Sequence, residues 1–283
     1  MKYVNKNTEK EYKKLEEAFG SREALSLLRI LIEDLSLVAL IQSEPGDTGD
    51  LFVFKKAVDQ LLDGMPIQYI TRKSFFYGRE FEVTQTVLIP RPETEELVFE
   101  ALKYLPPGSA GKILDVGTGS GCIAITLSLE RPDTEVIALD ISEEALLVAQ
   151  RNNSKLKAGV RFIKADFLQK NTWKEKVPLF QMVVSNPPYI SREERDQMSR
   201  STLLHEPQRA LFPEGEDPLI FYRQMAAVLP DLLEEGGLIF LEVNEFNAPE
   251  VKKLFLPFFK KVELLKDMQG KNRIIRGVDY RPL

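Results

Sequence analysis

Asn186, Pro187, Pro188 and Tyr189 follow the apolar residues Met182, Val183 and Val184 and open a loop whose groups suit the holding of a planar nitrogen. The Asn186 side chain carries a carbonyl acceptor, Pro187 a backbone carbonyl with no N–H of its own, and Tyr189 a flat ring face. Two acceptors and a ring can fix an amide or an exocyclic amine in one orientation. Rival chemistries lack their parts. Cys122 is the single cysteine and His205 the single histidine, so neither an internal disulfide, a cysteine-cluster metal site nor an H-E-x-x-H zinc motif can be assembled. No metal is expected, and Cys122 without an adjacent histidine reads as a small buried side chain rather than a nucleophile. Catalysis here rests on positioning.

A second constellation points to a nucleoside-bearing cofactor. Strand 112–116, which contains Asp115, runs into Gly117, Thr118, Gly119, Ser120 and Gly121, and Ile123, Ala124 and Ile125 then suit a helix. Glycines let the backbone turn sharply and approach a ligand, and a helix start presents free N–H groups. Asp140 stands 23 residues beyond Gly117 at the end of the next strand, where a carboxylate can accept both ribose hydroxyls, and Ile141 beside it joins the cofactor set. Asp166 follows strand 160–164 and can accept an adenine amino hydrogen while Phe167 or Leu168 packs on the ring. A helix cap would account for either aspartate alone, and a tight turn for the glycines. Three such groups at three successive strand ends make a ligand crevice the stronger reading. NAD calls for G-x-G-x-x-G and an acid or base, whereas this chain has G-x-G-x-G beside Asn-Pro-Pro-Tyr. S-adenosylmethionine fits better, because methyl transfer needs little more than a nucleophile aligned with the sulfonium methyl. Asp115, at the head of the loop, can organise it or reach the cofactor's amino group.

These groups need a scaffold. From residue 112 onward strands at 112–116, 135–140, 160–164, 180–185, 237–243, 261–266 and 272–278 alternate with helices at 121–130, 143–153, 217–233 and 247–257. That rhythm predicts an α/β fold with a mostly parallel, doubly wound sheet whose last two strands form an antiparallel edge pair. Upstream, Leu27, Leu28, Leu31, Ile32 and Leu35, then Leu51, Val53, Phe54, Val58, Leu61 and Leu62, recur at helical spacing, with Gly46, Asp47 and Gly49 punctuating the two runs. The expected organisation is a small helical domain over 1–72, a linker hairpin over 73–90 and a catalytic domain over 91–283. Within the last, Thr94 or Glu93 is expected to cap a helix over 96–105. The net charge of -5, with 43% apolar and 29% charged residues, describes an ordinary soluble chain and weakens the case for a nucleic-acid binder. No apolar leader or stretch of ~20 apolar residues is found. A cytoplasmic location is expected, with no membrane or stable nucleic-acid partner.

Larger strings then become recognisable. Gly64, Pro66, Ile67, Gln68, Tyr69 and Ile70, then Phe76, Gly78, Phe81 and Val83, precede Leu88, Ile89, Pro90, Arg91, Pro92, Glu93, Thr94 and Glu95. The Asp115 to Gly121 loop, Asp140, Asp166, the Asn-Pro-Pro-Tyr loop with Ile190, and Glu206, Pro207, Ala210 and Leu211 continue the series. Over nearly its whole length the chain resembles the protein-glutamine N-methyltransferases that modify peptide chain release factors. Asn-Pro-Pro-Tyr alone would also admit adenine-N6 DNA methyltransferases, while the 89–95 string and the helical N-terminus are narrower signals. The resemblance implies a Rossmann-like, S-adenosylmethionine-dependent methyltransferase acting on the glutamine of a Gly-Gly-Gln loop, with the N-terminal helices docking the protein substrate and a monomer as the working form. It also implies that Asn186 and the Pro187 carbonyl accept the two amide hydrogens and that Tyr189 packs against the amide or helps shape its slot. Pro188 lies in that loop, and Arg91, Pro92 and Thr94 border the pocket. The chain departs from the family at 213–219, where Pro213, Glu214, Gly215, Glu216, Asp217 and Pro218 replace a glycine-rich stretch, and at Val243, Asn244 and Asn247.

Overall fold

The computed structural model describes residues 2–37, 48–215 and 217–282. Gly46, Asp47 and Glu216 lie outside them. The chain divides into two compact units, one made of Met1–Lys73 with Met198–His205, the other of Ser74–Gln197 with Glu206–Leu283.

The first unit is helical: α1 (Glu9–Phe19), α2 (Ser21–Asp34), α3 (Thr48–Leu62), α4 (Ile67–Thr71) and α8 (Arg200–His205). Gly20 ends α1 and starts α2 at φ 79°, a turn that a side chain would strain, while its N–H still reaches Glu16 O. Leu15, Leu28, Leu31, Ile32, Phe54, Val58 and Leu61 form its core. Each buried aliphatic side chain contributes about 1.5–3 kcal/mol. The helical stripe on α3 is narrower than the sequence suggests, because Val53 and Leu62 face solvent. The Ser201 hydroxyl donates to Gly64 O at 2.6 Å, tying α8 to the turn after α3.

From Ser74 the second unit opens with a hairpin, β1 (Lys73–Phe76, its first residue counted with the first unit) and β2 (Arg79–Glu82), turned by Tyr77 and Gly78 at φ 50° and 73°. The sequence assigns this segment to a linker; the structure builds it into the unit. Phe76 and Phe81 are fully buried among Leu97, Val98 and Ile123. The buried Asn152 amide grips both the N–H and the carbonyl of Glu82, at 2.6 and 2.9 Å. Helix α5 (Pro92–Leu102) starts earlier than expected, because proline at the first helical position costs no hydrogen bond. Arg91 is its N-cap and no side chain caps it, so Thr94 is free for another role.

The seven-stranded sheet contains β3 (Lys112–Val116), β4 (Glu135–Asp140), β5 (Arg161–Lys164), β6 (Phe180–Ser185), β7 (Leu233–Glu242), β8 (Phe259–Lys266) and β9 (Asn272–Tyr280). Its order is β5-β4-β3-β6-β7-β9-β8, parallel from β5 through β7, with β9 antiparallel to both β7 and β8. Helices α6 (Cys122–Glu130), α7 (Glu143–Leu156), α9 (Gln208–Leu211), α10 (Ile220–Leu232) and α11 (Ala248–Phe255) complete the unit. Central strands are apolar on both faces. Leu114, Ile137, Val183 and Ile239 enter one core layer, and Ile113, Ala138, Val184 and Phe240 the other.

Candidate active site

The chain starts the parallel sheet in the middle, winds outward through β4 and β5, then returns to lay β6 on the other side of β3. Strand order therefore reverses between β3 and β6, the place where open α/β sheets form their ligand crevice. Register pairs Val116 with Ser185 and Ser185 with Leu241, so Gly117, Asn186 and Glu242 leave three adjacent strands side by side. The Ser185 hydroxyl donates to Val116 O at 2.7 Å and fastens this edge. Above it lies a cavity of about 620 Å³, the size of a small-molecule site.

One wall suits a nucleoside. Gly117 and Gly119 have φ of 76° and 54°, and a Cβ on either would project into open space. Asp140 accepts Gly119 N–H at 2.8 Å and Ser142 N–H at 2.9 Å, one bond per oxygen, which leaves lone pairs on both for a diol. Burial raises its pKa, against the pull of the Ser142, Gly119 and Ile141 N–H groups and of Arg209. Ile141 beside it is 37% exposed, an apolar surface left open at the cavity wall. Asp166 borders the same space, its carboxylate accepting Leu168 N–H at 3.0 Å and Gln169 Nε2 at 2.8 Å. Phe167 also borders it, but its ring is buried and stacked on Trp173 with centroids 5.6 Å apart, so its broad face is already covered.

The opposite wall is the nitrogen clamp. Asn186, Pro187 and Pro188 line the cavity. Asn186 Nδ2 donates to Thr94 Oγ1 at 3.0 Å, and Thr94 Oγ1 donates to Glu242 Oε2 at 2.7 Å. Glu242 Oε1 accepts the Tyr189 hydroxyl at 3.0 Å, and the Glu242 backbone carbonyl accepts the Tyr222 hydroxyl at 2.7 Å. Burial raises the pKa of Glu242, while Thr94, Tyr189 and the nearby Arg273 pull it down. Burial and the Glu242 charge push the Tyr189 phenol well above its ordinary value. Arg91 borders the cavity and donates to the buried Glu206, whose other oxygen receives Ile89 N–H.

Several expected site residues stand elsewhere. Tyr189 is outside the cavity lining; its ring packs on the core and its hydroxyl turns back to Glu242, so it anchors the loop. Asp115 is fully buried beneath the glycine loop and accepts the Thr118 hydroxyl at 2.6 Å, which makes it a loop organiser rather than a wall of the cavity. Gly121 is needed for packing, since a Cβ there would meet Ile125 at 2.8 Å and Ala149 at 3.2 Å. Pro92 opens α5 and does not reach the cavity. Burial pushes the Cys122 thiol up to about 12, which removes it as a nucleophile. Glu242 and Glu206 were not assigned roles from sequence. Their signal is a carboxylate placed where a strand or helix ends beside the site.

A family model for the methyltransferase small domain matches residues 95–244, from the first turn of α5 to just past β7. The release factor glutamine methyltransferase of Bacillus subtilis is 44% identical over 268 residues, covering 93% of this chain and 92% of that one. The chain belongs to the release factor glutamine methyltransferase family. The family member of Flavobacterium psychrophilum is 36% identical over 278 residues, covering 93% of this chain and 94% of its own. Among solved structures, a methyltransferase from Pyrococcus furiosus aligns with 81% of this chain and 100% of that chain at a TM-score of 0.53 and 18% identity, a likeness of fold. This member of the family is thus a Rossmann-like, S-adenosylmethionine-dependent methyltransferase. The residues present fit that cofactor: glycine backbone open to a ligand, a carboxylate with lone pairs to spare, and an uncovered isoleucine share one wall. No helix among the described residues is long and apolar enough to cross a membrane.

Proposed function

We propose that this chain methylates the side-chain amide nitrogen of the glutamine in the Gly-Gly-Gln motif of peptide chain release factors. The observation that carries the reading is the state of Asn186, a residue of the cavity wall: its NH₂ is held by Thr94, and its side-chain carbonyl takes no hydrogen bond among the described residues. Pro187 adds a backbone carbonyl, likewise without a backbone partner there. A primary amide presents two N–H groups, and these are two acceptors.

Bound S-adenosylmethionine supplies an electrophilic methyl group. Asp140, Ile141, Asp166 and the backbone of Gly117, Thr118 and Gly119 hold it, with Phe167 closing the wall from behind. An amide nitrogen is a poor nucleophile because its lone pair is delocalised into the carbonyl. Acceptors on both N–H bonds raise electron density at nitrogen and aim it, so orientation and electrostatics share the work. No general base is required before attack; the surplus proton leaves once the methylated nitrogen has become strongly acidic. The helical unit serves as the docking element for the protein substrate, a role supported by Phe52 and Val53, which α3 leaves 69% and 44% exposed. The working form is a cytoplasmic monomer.

The test is incubation with methyl-labelled cofactor and either a release factor, the same factor with its Gly-Gly-Gln glutamine replaced, or duplex DNA. Label confined to the unaltered factor is expected. Label on DNA, or label that survives loss of the glutamine, would overturn the assignment.

A further inference from the structure

We propose that Thr94 and Glu242 are positioning residues that set the direction of the clamp. The Thr94 hydroxyl, with its one proton committed to Glu242, shows Asn186 only lone pairs and thereby turns the Asn186 carbonyl into the cavity.

An asparagine amide has nearly the same shape whichever way it faces, so its direction is fixed by its partners. Here one wall partner is Thr94, 3% exposed, and behind it stands Glu242, 2% exposed. Taken as a carboxylate, the state that a hydroxyl donor on each oxygen and the nearby Arg273 favour and that burial opposes, Glu242 accepts and never donates. Glu242 therefore claims the protons of both hydroxyls that reach it, Thr94 on Oε2 and Tyr189 on Oε1. Thr94 then meets Asn186 as an acceptor, and only the NH₂ end of the amide satisfies it. Turned over, Asn186 would set its own oxygen against the hydroxyl oxygen and aim two donors at the substrate's N–H groups.

The charged groups around Glu242 are Arg273 on β9, which favours the carboxylate, and Glu93 on α5, which opposes it. Arg273 is itself held by Asp267 at 3.1 Å. The same carboxylate fixes the far end of the loop through Tyr189. One buried anion on β7 thus sets both the orientation of the acceptor residue and the position of its loop. This inference rests on the reading of Asn186 as the acceptor for the substrate amide.

Two measurements on the full-length protein test it. The first needs no substrate: the side-chain NH₂ signal of Asn186 in a ¹⁵N correlation spectrum, assigned by its loss in Asn186→Ala. It is expected to stay in place in Thr94→Ser and to move, with faster hydrogen exchange, in Thr94→Val and Glu242→Gln. An unchanged signal in both of those variants would overturn the proposal. The second is single-turnover methyl transfer. Thr94→Val should slow it by about tenfold, the worth of one directing hydrogen bond, with cofactor Kd unchanged, and Thr94→Ser should recover most of that loss. In an Asn186→Ala background Thr94→Val should add nothing, since its effect passes through Asn186. A full additive loss there would mean that Thr94 acts by another route. If the wild type labels no release factor glutamine, the substrate reading falls while the amide signal still decides the positioning.

Discussion

Replacing Asp115 by asparagine should make the second unit more stable at alkaline pH and leave it nearly unchanged at acid pH. Asp115 is completely buried, and burial raises its pKa from 3.8 to about 7, against the Thr118 hydroxyl and the Ala124 N–H at the start of α6. In the unfolded chain the group ionises near its ordinary value. The folded state therefore holds the proton across the interval between the two, and the contribution to stability is full below pH 3.8 and is lost as pH rises through about 7. A shift of about 3 pH units at 1.36 kcal/mol each corresponds to roughly 4 kcal/mol. Asparagine can still accept from Thr118 and carries no charge at any pH. Trp173 is the single tryptophan and is fully buried in this unit, so its fluorescence follows unfolding of this unit alone. Urea titrations of wild type and Asp115→Asn at half-unit steps from pH 4.5 to 8.5 should show the gap between them widening toward alkaline pH by a few kcal/mol. A gap that stays constant across the range, or narrows, would refute the argument that Asp115 is a destabilised buried acid.

Asn186→Ala should lower single-turnover methyl transfer by about 10²–10³-fold, by analogy with loss of one preorganised hydrogen-bonding group in an oxyanion hole, while cofactor Kd measured by titration calorimetry stays unchanged; equal losses in both would remove Asn186 from the chemistry. Asp140→Ala should weaken cofactor binding about 10- to 100-fold, the range for hydrogen bonds to a charged group, and an unaltered Kd would take Asp140 out of the ribose site. Gly277→Ala should destabilise the sheet by about 1–3 kcal/mol through overpacking, because a Cβ there would stand 2.8 Å from Ile239 Cγ1 and 3.0 Å from Phe259; chemical denaturation reads the result, and an unchanged midpoint counts against it.

Strands β3, β4 and β6 match their expected bounds because each is largely buried on both faces and carries a compact set of apolar residues, Ile113, Leu114 and Val116, then Val136 to Leu139, then Met182 to Val184. Strand β7 was harder. It starts at Leu233, earlier than expected, through exposed Glu234, Glu235 and Gly236, where a shift in register with β6 hides the pairing from any pattern of alternation. The cofactor wall was legible since Gly117, Asp140 and Asp166 fall at successive strand ends, where local spacing implies spatial proximity. The support of the clamp was not. Asn186 and Thr94 are 92 positions apart and Thr94 and Glu242 are 148 apart, so their hydrogen bonds exist only once β6, β7 and α5 have been assembled. The anchoring of Tyr189 was hidden for the same reason: its ring offers a flat face in the sequence, but the buried carboxylate that its hydroxyl reaches belongs to another strand.

The discontinuous first unit has a consequence for synthesis on the ribosome. Its helices α1 to α4 are complete by residue 73, yet α8, which belongs to the same unit, is encoded more than a hundred residues later. At about 5–20 residues per second, the amino-terminal helices wait roughly 7 to 26 s for their last member, and by then β3 to β6 have already emerged. The order of emergence thus interleaves the two units: four sheet strands precede the last helix of the helical unit, and β7 to β9 follow it, so neither unit is finished before the other has begun.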